Sequence, residues 1–424
     1  VLGTDARVSG RAAKRAGRLR GWLLDPSARL DAVARTGRAR NNFDLLRLFA
    51  AACVLFSHSF VLTGNVEPLP PGLGLSWSAI GVMVFFAISG FLIARSWAYD
   101  PHPLAFAVKR GLRLVPALAV SLLATALILG PLVTSLPIRA YLSDPATKAF
   151  VLDNLMLQTN YALPGVFADN TYPNAVNGSL WTLPLEVKAY TLAAILGLLG
   201  LFGRARIAMG FVAVVATLAM VPEIRDALPL GNRLTAMLAD IQARAGEIAA
   251  AAAGAYNVWL RPFATFLIGA AFFALARWIP IRWGIAAAVA AAWAGATAIG
   301  GWTAVIGATC AIPYLVLVLA YRTRDLVGLP ARVGDYSYGL YIYAFPVQQA
   351  IVHFTAVDSG WVLFLLATPA TLAAAIASWH YVEAPALTLK ERLERPLAEP
   401  VHAAPRPAFQ PDVPERSGGP GPAR

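Results

Sequence analysis

The chain has 424 residues, of which 58% are hydrophobic and 14% charged, and its net charge is +12. An ordinary soluble domain carries roughly 45–50% apolar and 25% charged residues, so the composition excludes a row of soluble domains as the simplest reading. The apolar residues also come in runs of membrane-span length, such as Leu45 to Val61, Ile80 to Ala94 and Leu112 to Leu129.

The basic balance is uneven. Residues 1–40 hold ten Lys/Arg against three acids, which is +7 of the +12. Nucleic acid is not an expected partner, because no basic face interleaved with aromatics occurs. Attraction to anionic membrane lipids and control of topology are the expected roles of this tail. No short apolar segment followed by a small-residue cleavage site opens the chain, so a cleaved signal is not expected. Cys53 and Cys310 both fall inside apolar runs, which predicts neither a disulfide framework nor a metal site.

Windows of about twenty residues predict an all-α polytopic transmembrane helix bundle with ten spans, near 44–63, 77–97, 112–134, 179–201, 206–222, 260–278, 283–300, 302–320, 336–355 and 360–380. The domain plan is a basic cytoplasmic tail over 1–40, a membrane domain over 41–383 and a disordered Pro/Gly/Arg-rich tail over 384–424. With the N-terminus inside, the loops near 95–113, 202–207, 277–282 and 321–335 hold eleven Lys/Arg, whereas 64–76, 299–302 and 355–360 hold none. That contrast predicts both termini in the cytoplasm.

Charges inside spans are functional candidates, since each costs about 2.5–3.5 kcal/mol at a helix centre on insertion scales. The first span carries Asp44, Arg47 and His58. Eleven residues make about three helical turns, so Arg47 and His58 share a face about 16 Å apart, with Asp44 one turn below Arg47. An imidazole at this depth is suited to general-base work. The Asp44–Arg47 pair is suited equally to fixing the helix at the interface. At the start of the third span, Lys109, Arg110 and Arg113 include two guanidiniums one turn apart, matched to phosphate oxygens, although positive-inside anchoring also produces such pairs.

Residues 135–178 form a long outside segment with Asn154, Asn160, Tyr161, Asn170, Tyr172, Pro173, Asn174 and Asn177, a mixture suited to a hydroxyl-rich ligand or to an ordinary loop. Glu186 lies about two turns into the fourth span, at a depth similar to that expected for His58, so the two are expected to converge as a carboxylate–imidazole pair. Pairing of Glu186 with Lys188 or a neighbouring helix is the other possibility. A second outside segment, 223–259, contains an Ala-rich stretch expected to form an interfacial helix.

Five segments, RNNFDLLRLFAAACVLFSHSF (40–60), GVMVFFAISGFLIARSW (81–97), FAVKRGLRLVPAL (106–118), NGSLWTLPLEVKAY (177–190) and GDYSYGLYIYAFPVQQ (334–349), together resemble the acyltransferase-3 family, bacterial integral-membrane O-acyltransferases of surface and secreted carbohydrates. The resemblance implies a catalytic His58 and donor-binding Arg47, Arg110 and Arg113. It matches Trp181 and Glu186 to the W-x-L-x-x-E segment, and Asp44, Trp181 and Tyr338 are expected to position structure or substrate. One departure stands out: many members have a His where this chain has Ala344.

The resulting expectation is an inner-membrane enzyme that moves an acyl group, expected to be acetyl, from cytosolic acyl-CoA to a sugar hydroxyl of a polysaccharide or its lipid-linked precursor. Acyl-CoA is then a donor substrate and no cofactor is held permanently. His58 acts as general base oriented by Glu186, or forms a transient acyl-histidine. The alternative class is a transporter or flippase, which inverted repeats and broken spans in both halves would favour; no convincing repeat is visible.

Overall fold

A computed structural model of the chain describes residues 30–31, 41–69, 75–200, 255–323 and 334–389. Its helices are α1 (Phe43–Leu62), α2 (Trp77–Tyr99), α3 (Pro103–Val133), α4 (Ile138–Ser143), α5 (Pro145–Leu155), α6 (Thr182–Leu198), α7 (Ala255–Ala274), α8 (Trp283–Ile299), α9 (Gly301–Arg322), α10 (Ser337–Thr355) and α11 (Gly360–Leu389). No strand occurs among the described residues. The expected span 206–222, the Ala-rich stretch expected to lie at the interface, residues 1–29 and residues 390–424 lie outside them.

Five helices, α1, α2, α3, α11 and the Thr303–Arg322 part of α9, are long and apolar enough to cross a membrane. Leu260–Ala274 and α8 are apolar but shorter. Two expected boundaries move, and one segment gains helices. Helix α3 begins at Pro103 rather than near 112, because His102 and a proline in the first turn start it and its first turns carry the charges that a hydropathy window rejects. Helix α11 continues to Leu389, past the expected boundary at 384. The segment 135–178 is not a plain loop: α4 and α5 fold within it, α5 capped by Asp144, whose carboxylate accepts from the Ala146 amide at 2.8 Å.

Small residues set the helix spacing. A Cβ on Gly90 of α2 would lie 1.9 Å from the Phe266 carbonyl oxygen of α7, and one on Gly269 of α7 would lie 2.3 Å from the Ala87 carbonyl oxygen of α2. Gly81 lets α2 approach the Ala50 carbonyl of α1 in the same way. Between apolar helices in lipid, such close approach is a main source of attraction. The core that results includes Val54, Phe86, Phe266 and Ile342, all buried. Leu127, Ile128, Leu132, Leu365 and Leu366 are exposed on α3 and α11, as a lipid-facing surface requires.

Gly269→Val should therefore destabilise the detergent-solubilised protein by at least about 2 kcal/mol, since backbone cannot yield as a flexible side chain does. Gly295→Ala, where nothing lies within 4 Å of the added carbon, should be neutral or stabilising. Thermal unfolding of both variants checks this, and equal midpoints would remove the close contact as a determinant of the bundle.

Candidate active site

Three arginines gather at the end of the bundle where α1 begins. Arg47 Nη1 lies 3.6 Å from Asp44 Oδ1 and 3.4 Å from Asp335 Oδ2. Arg113 Nη2 reaches the same Asp335 oxygen at 2.6 Å, and its Nη1 reaches Glu383 Oε2 at 3.2 Å. Asp335 sits just ahead of α10, takes the Ser337 hydroxyl and amide, and is buried. Burial alone would raise its carboxyl; the Arg113 and Arg47 guanidiniums beside it hold it well below the usual carboxylate range. Glu383 is aimed at Arg113 by a π-helical turn, Trp379–Glu383, which also brings the Trp379 ring to 6.0 Å from the same guanidinium.

Arg110 differs from its neighbours. Its guanidinium lies 5.8 Å from the Phe106 and Tyr190 ring centres, and its buried Nε has no hydrogen-bond partner among the described residues. Arg47, Arg110 and Arg113 line one cavity with Glu186, Tyr190, Thr182, Tyr338 and Tyr341. The Tyr338 hydroxyl is spent on the Leu114 carbonyl at 2.9 Å, and its ring lies 5.7 Å from Arg113. Tyr338 thus fixes the start of α10 against α3.

His58 lines a second cavity with Ser76, Ser78, Trp181, Arg261 and Tyr341. Its ring packs edge-on against Phe345 at 5.2 Å, and its buried Nδ1 has no partner among the described residues. Helix α10 locks α1 at this level: Gln348 donates to Ser59 Oγ at 2.6 Å and to the Leu55 carbonyl at 2.8 Å. Ala344 is fully buried next to Phe345. Val82 and Tyr341 border both cavities. The Tyr341 hydroxyl is tied to Thr182 Oγ1 at 2.8 Å.

The expected convergence of His58 with Glu186 is not what the fold produces. Glu186 accepts from the Tyr190 hydroxyl and lies in the arginine-lined cavity, while His58 lines the other. The cause is where α6 starts. Residues 177–181 plunge into the bundle, with the Asn177 amide on the Ile342 carbonyl at 2.9 Å and Gly178 against the Phe345 ring, so Trp181 is level with His58. One turn further along, Glu186 has passed His58 toward the arginines. Lys188 is exposed and is not the partner of Glu186.

In the polar segment the ordinary-loop alternative holds for three of the asparagines. Asn154 donates to the Phe150 and Asn160 carbonyls, Asn170 to Gln349, and Asn177 to α10, so these side chains staple the segment rather than face a ligand. Asp335 and Gln348 lie within the 334–349 segment, which by itself gives neither a role, and Glu383 and Arg261 lie outside all five segments. A search for charges flanking apolar runs would have found Arg261 and Asp335.

Asp335→Asn should cost about 3 kcal/mol in stability, because two guanidiniums lose their shared counter-charge. A double-mutant cycle with Arg113→Gln, read by thermal unfolding, should give a coupling above about 1 kcal/mol. Additive losses would show the pair to be energetically idle.

A family model described as an acyltransferase domain matches residues 40–380. An "O-acetyl transferase" of Shigella phage Sf6 is 30% identical over 359 residues, covering 82% of this chain and 96% of that protein. "Nodulation protein 10" of Rhizobium leguminosarum bv. viciae is 29% identical over 372 residues, covering 84% of this chain and 95% of the relative. No solved structure matches. With most of its length matched, the chain belongs to the acyltransferase-3 family and is an acyltransferase.

Proposed function

We propose that the chain transfers an acetyl group from acetyl-CoA to a hydroxyl of a surface or secreted carbohydrate, or of its lipid-linked precursor, at the bacterial inner membrane with both termini in the cytoplasm. The observation that carries this reading is the pair of cavities that meet at Val82 and Tyr341, one lined by three arginines and the other by His58, whose buried Nδ1 has no hydrogen-bond partner among the described residues. The name of the phage relative supports acetyl as the group moved.

In this reading Arg110 makes the first contact with the donor's phosphates, since it has no carboxylate partner among the described residues. Arg47 and Arg113, held by Asp335, offer their remaining N–H groups as charge-assisted donors. The pantetheine arm covers the distance of about 16 Å along α1 and brings the thioester to the shared wall. His58 then takes the proton of the acceptor hydroxyl as its oxygen bonds to the thioester carbon. The carbon–sulfur bond breaks, and His58 returns the proton to the departing thiolate. Glu186 acts on the donor side, not as an orienting partner of His58.

Release of free CoA thiol by purified protein, with sugar acceptor present, tests this. His58→Ala should lower kcat at least about a hundredfold with donor affinity kept. Arg110→Ala should instead raise KM for acetyl-CoA about tenfold, as loss of a charged contact does. Transfer by His58→Ala at the wild-type rate would sink the general-base role. NMR of ester groups on carbohydrate from a deletion strain, complemented by wild type or His58→Ala, identifies the acceptor.

A further inference from the structure

The His58 cavity contains a second cation that the transfer chemistry does not use. Arg261 lies two turns into α7 and lines this cavity beside Pro262. Its Nε is buried and finds no hydrogen-bond partner among the described residues. A guanidinium stays charged at any physiological pH, so a half-buried one with a buried Nε and no carboxylate partner among the described residues is suited to an anion that arrives from elsewhere. Glu67, an acid of the loop that leads into α2, is already committed: it accepts from Ser57 Oγ at 2.8 Å and from the Trp77 amide at 2.8 Å. No ion pair joins Arg261 to a carboxylate among the described residues.

The rest of the cavity indicates what kind of molecule brings the anion. Ser76 and Ser78 supply hydroxyls, which bond to each other at 3.1 Å, and Trp181 and Tyr341 supply aromatic surface. Hydroxyl donors and acceptors with aromatic surface suit a sugar ring; a guanidinium suits a carboxylate or phosphate bidentately. Arg261 does not line the arginine cavity, so its charge is placed for the acceptor and not for the donor's phosphates.

We propose that Arg261 binds an oxyanion carried by the acceptor, a carboxylate or a phosphate ester on the sugar, and so selects acidic carbohydrates over neutral ones. This rests on the reading of the His58 cavity as the acceptor site. Arg261 is then a specificity-determining residue: it holds the anionic group while His58 meets the hydroxyl to be acylated.

Direct binding separates this proposal from the acyl-transfer reading. Calorimetry on the purified full chain in detergent would use methyl glucoside, methyl glucuronide and glucose 1-phosphate as probes. Wild type should bind at least one of the two anionic sugars about tenfold or more tighter than methyl glucoside, and which one identifies carboxylate or phosphate as the anion. Arg261→Gln should erase that preference while acetyl-CoA binding, the control for folding, is kept; His58→Ala should retain the preference. Equal affinity for neutral and anionic sugars, no binding of any probe, or a preference that survives Arg261→Gln would overturn the proposal. In turnover, Arg261→Gln should raise KM for the anionic acceptor about tenfold and leave transfer to the neutral one within twofold. An equal fall of kcat with both acceptors would assign Arg261 to the thioester oxyanion and overturn acceptor selection. Anion preference without any CoA release would leave the proposal standing and overturn the transfer chemistry.

Discussion

One carboxylate holds the working end of the bundle together. Asp335 receives Arg47 from α1 and Arg113 from α3 on the same oxygen, while its other oxygen takes the start of α10 through Ser337. Three helices distant in sequence are thus joined at one buried point. Removing any member leaves charge without compensation in a low-dielectric setting, which is far more costly than never having had the pair. Glu383, aimed by the π-helical turn of α11, brings a fourth helix onto Arg113.

That clamp divides the cations by role. Arg47 and Arg113 are saturated on one side by acids and therefore fixed in position, which is what preorganised phosphate recognition needs. Arg110 and Arg261 face cavities with a buried nitrogen left over, one in each chamber. Val82 and Tyr341 border both cavities, so the two chambers share a wall.

Much of this was legible from residue order. The eleven-residue spacing of Arg47 and His58 fixes them on one face because helical geometry is local. The placement of Glu186 was not legible, because depth was counted from an assumed surface start and α6 starts within the bundle, where Asn177 and Gly178 pack on α10. For the asparagines of 154–177 ligand contact and ordinary loop both stood open, since composition alone does not distinguish an amide that faces solvent from one that satisfies a buried carbonyl, as Asn154 and Asn177 do. Asp335 and Glu383 stood at helix edges, where a carboxylate in sequence looks like an ordinary loop or interface residue.

By itself the sequence determined the membrane character, the helical class, the family and the identities of the basic and imidazole groups, because these follow from composition, period and motif order. Only the tertiary structure decided which acid meets which arginine, that His58 and Glu186 belong to different chambers, and that Arg261 joins His58. Those facts depend on the close approach of α2 and α7 through Gly90 and Gly269, and on a chain that re-enters the bundle before α6. Contacts of that kind join residues far apart in sequence, and local periodicity carries no information about them.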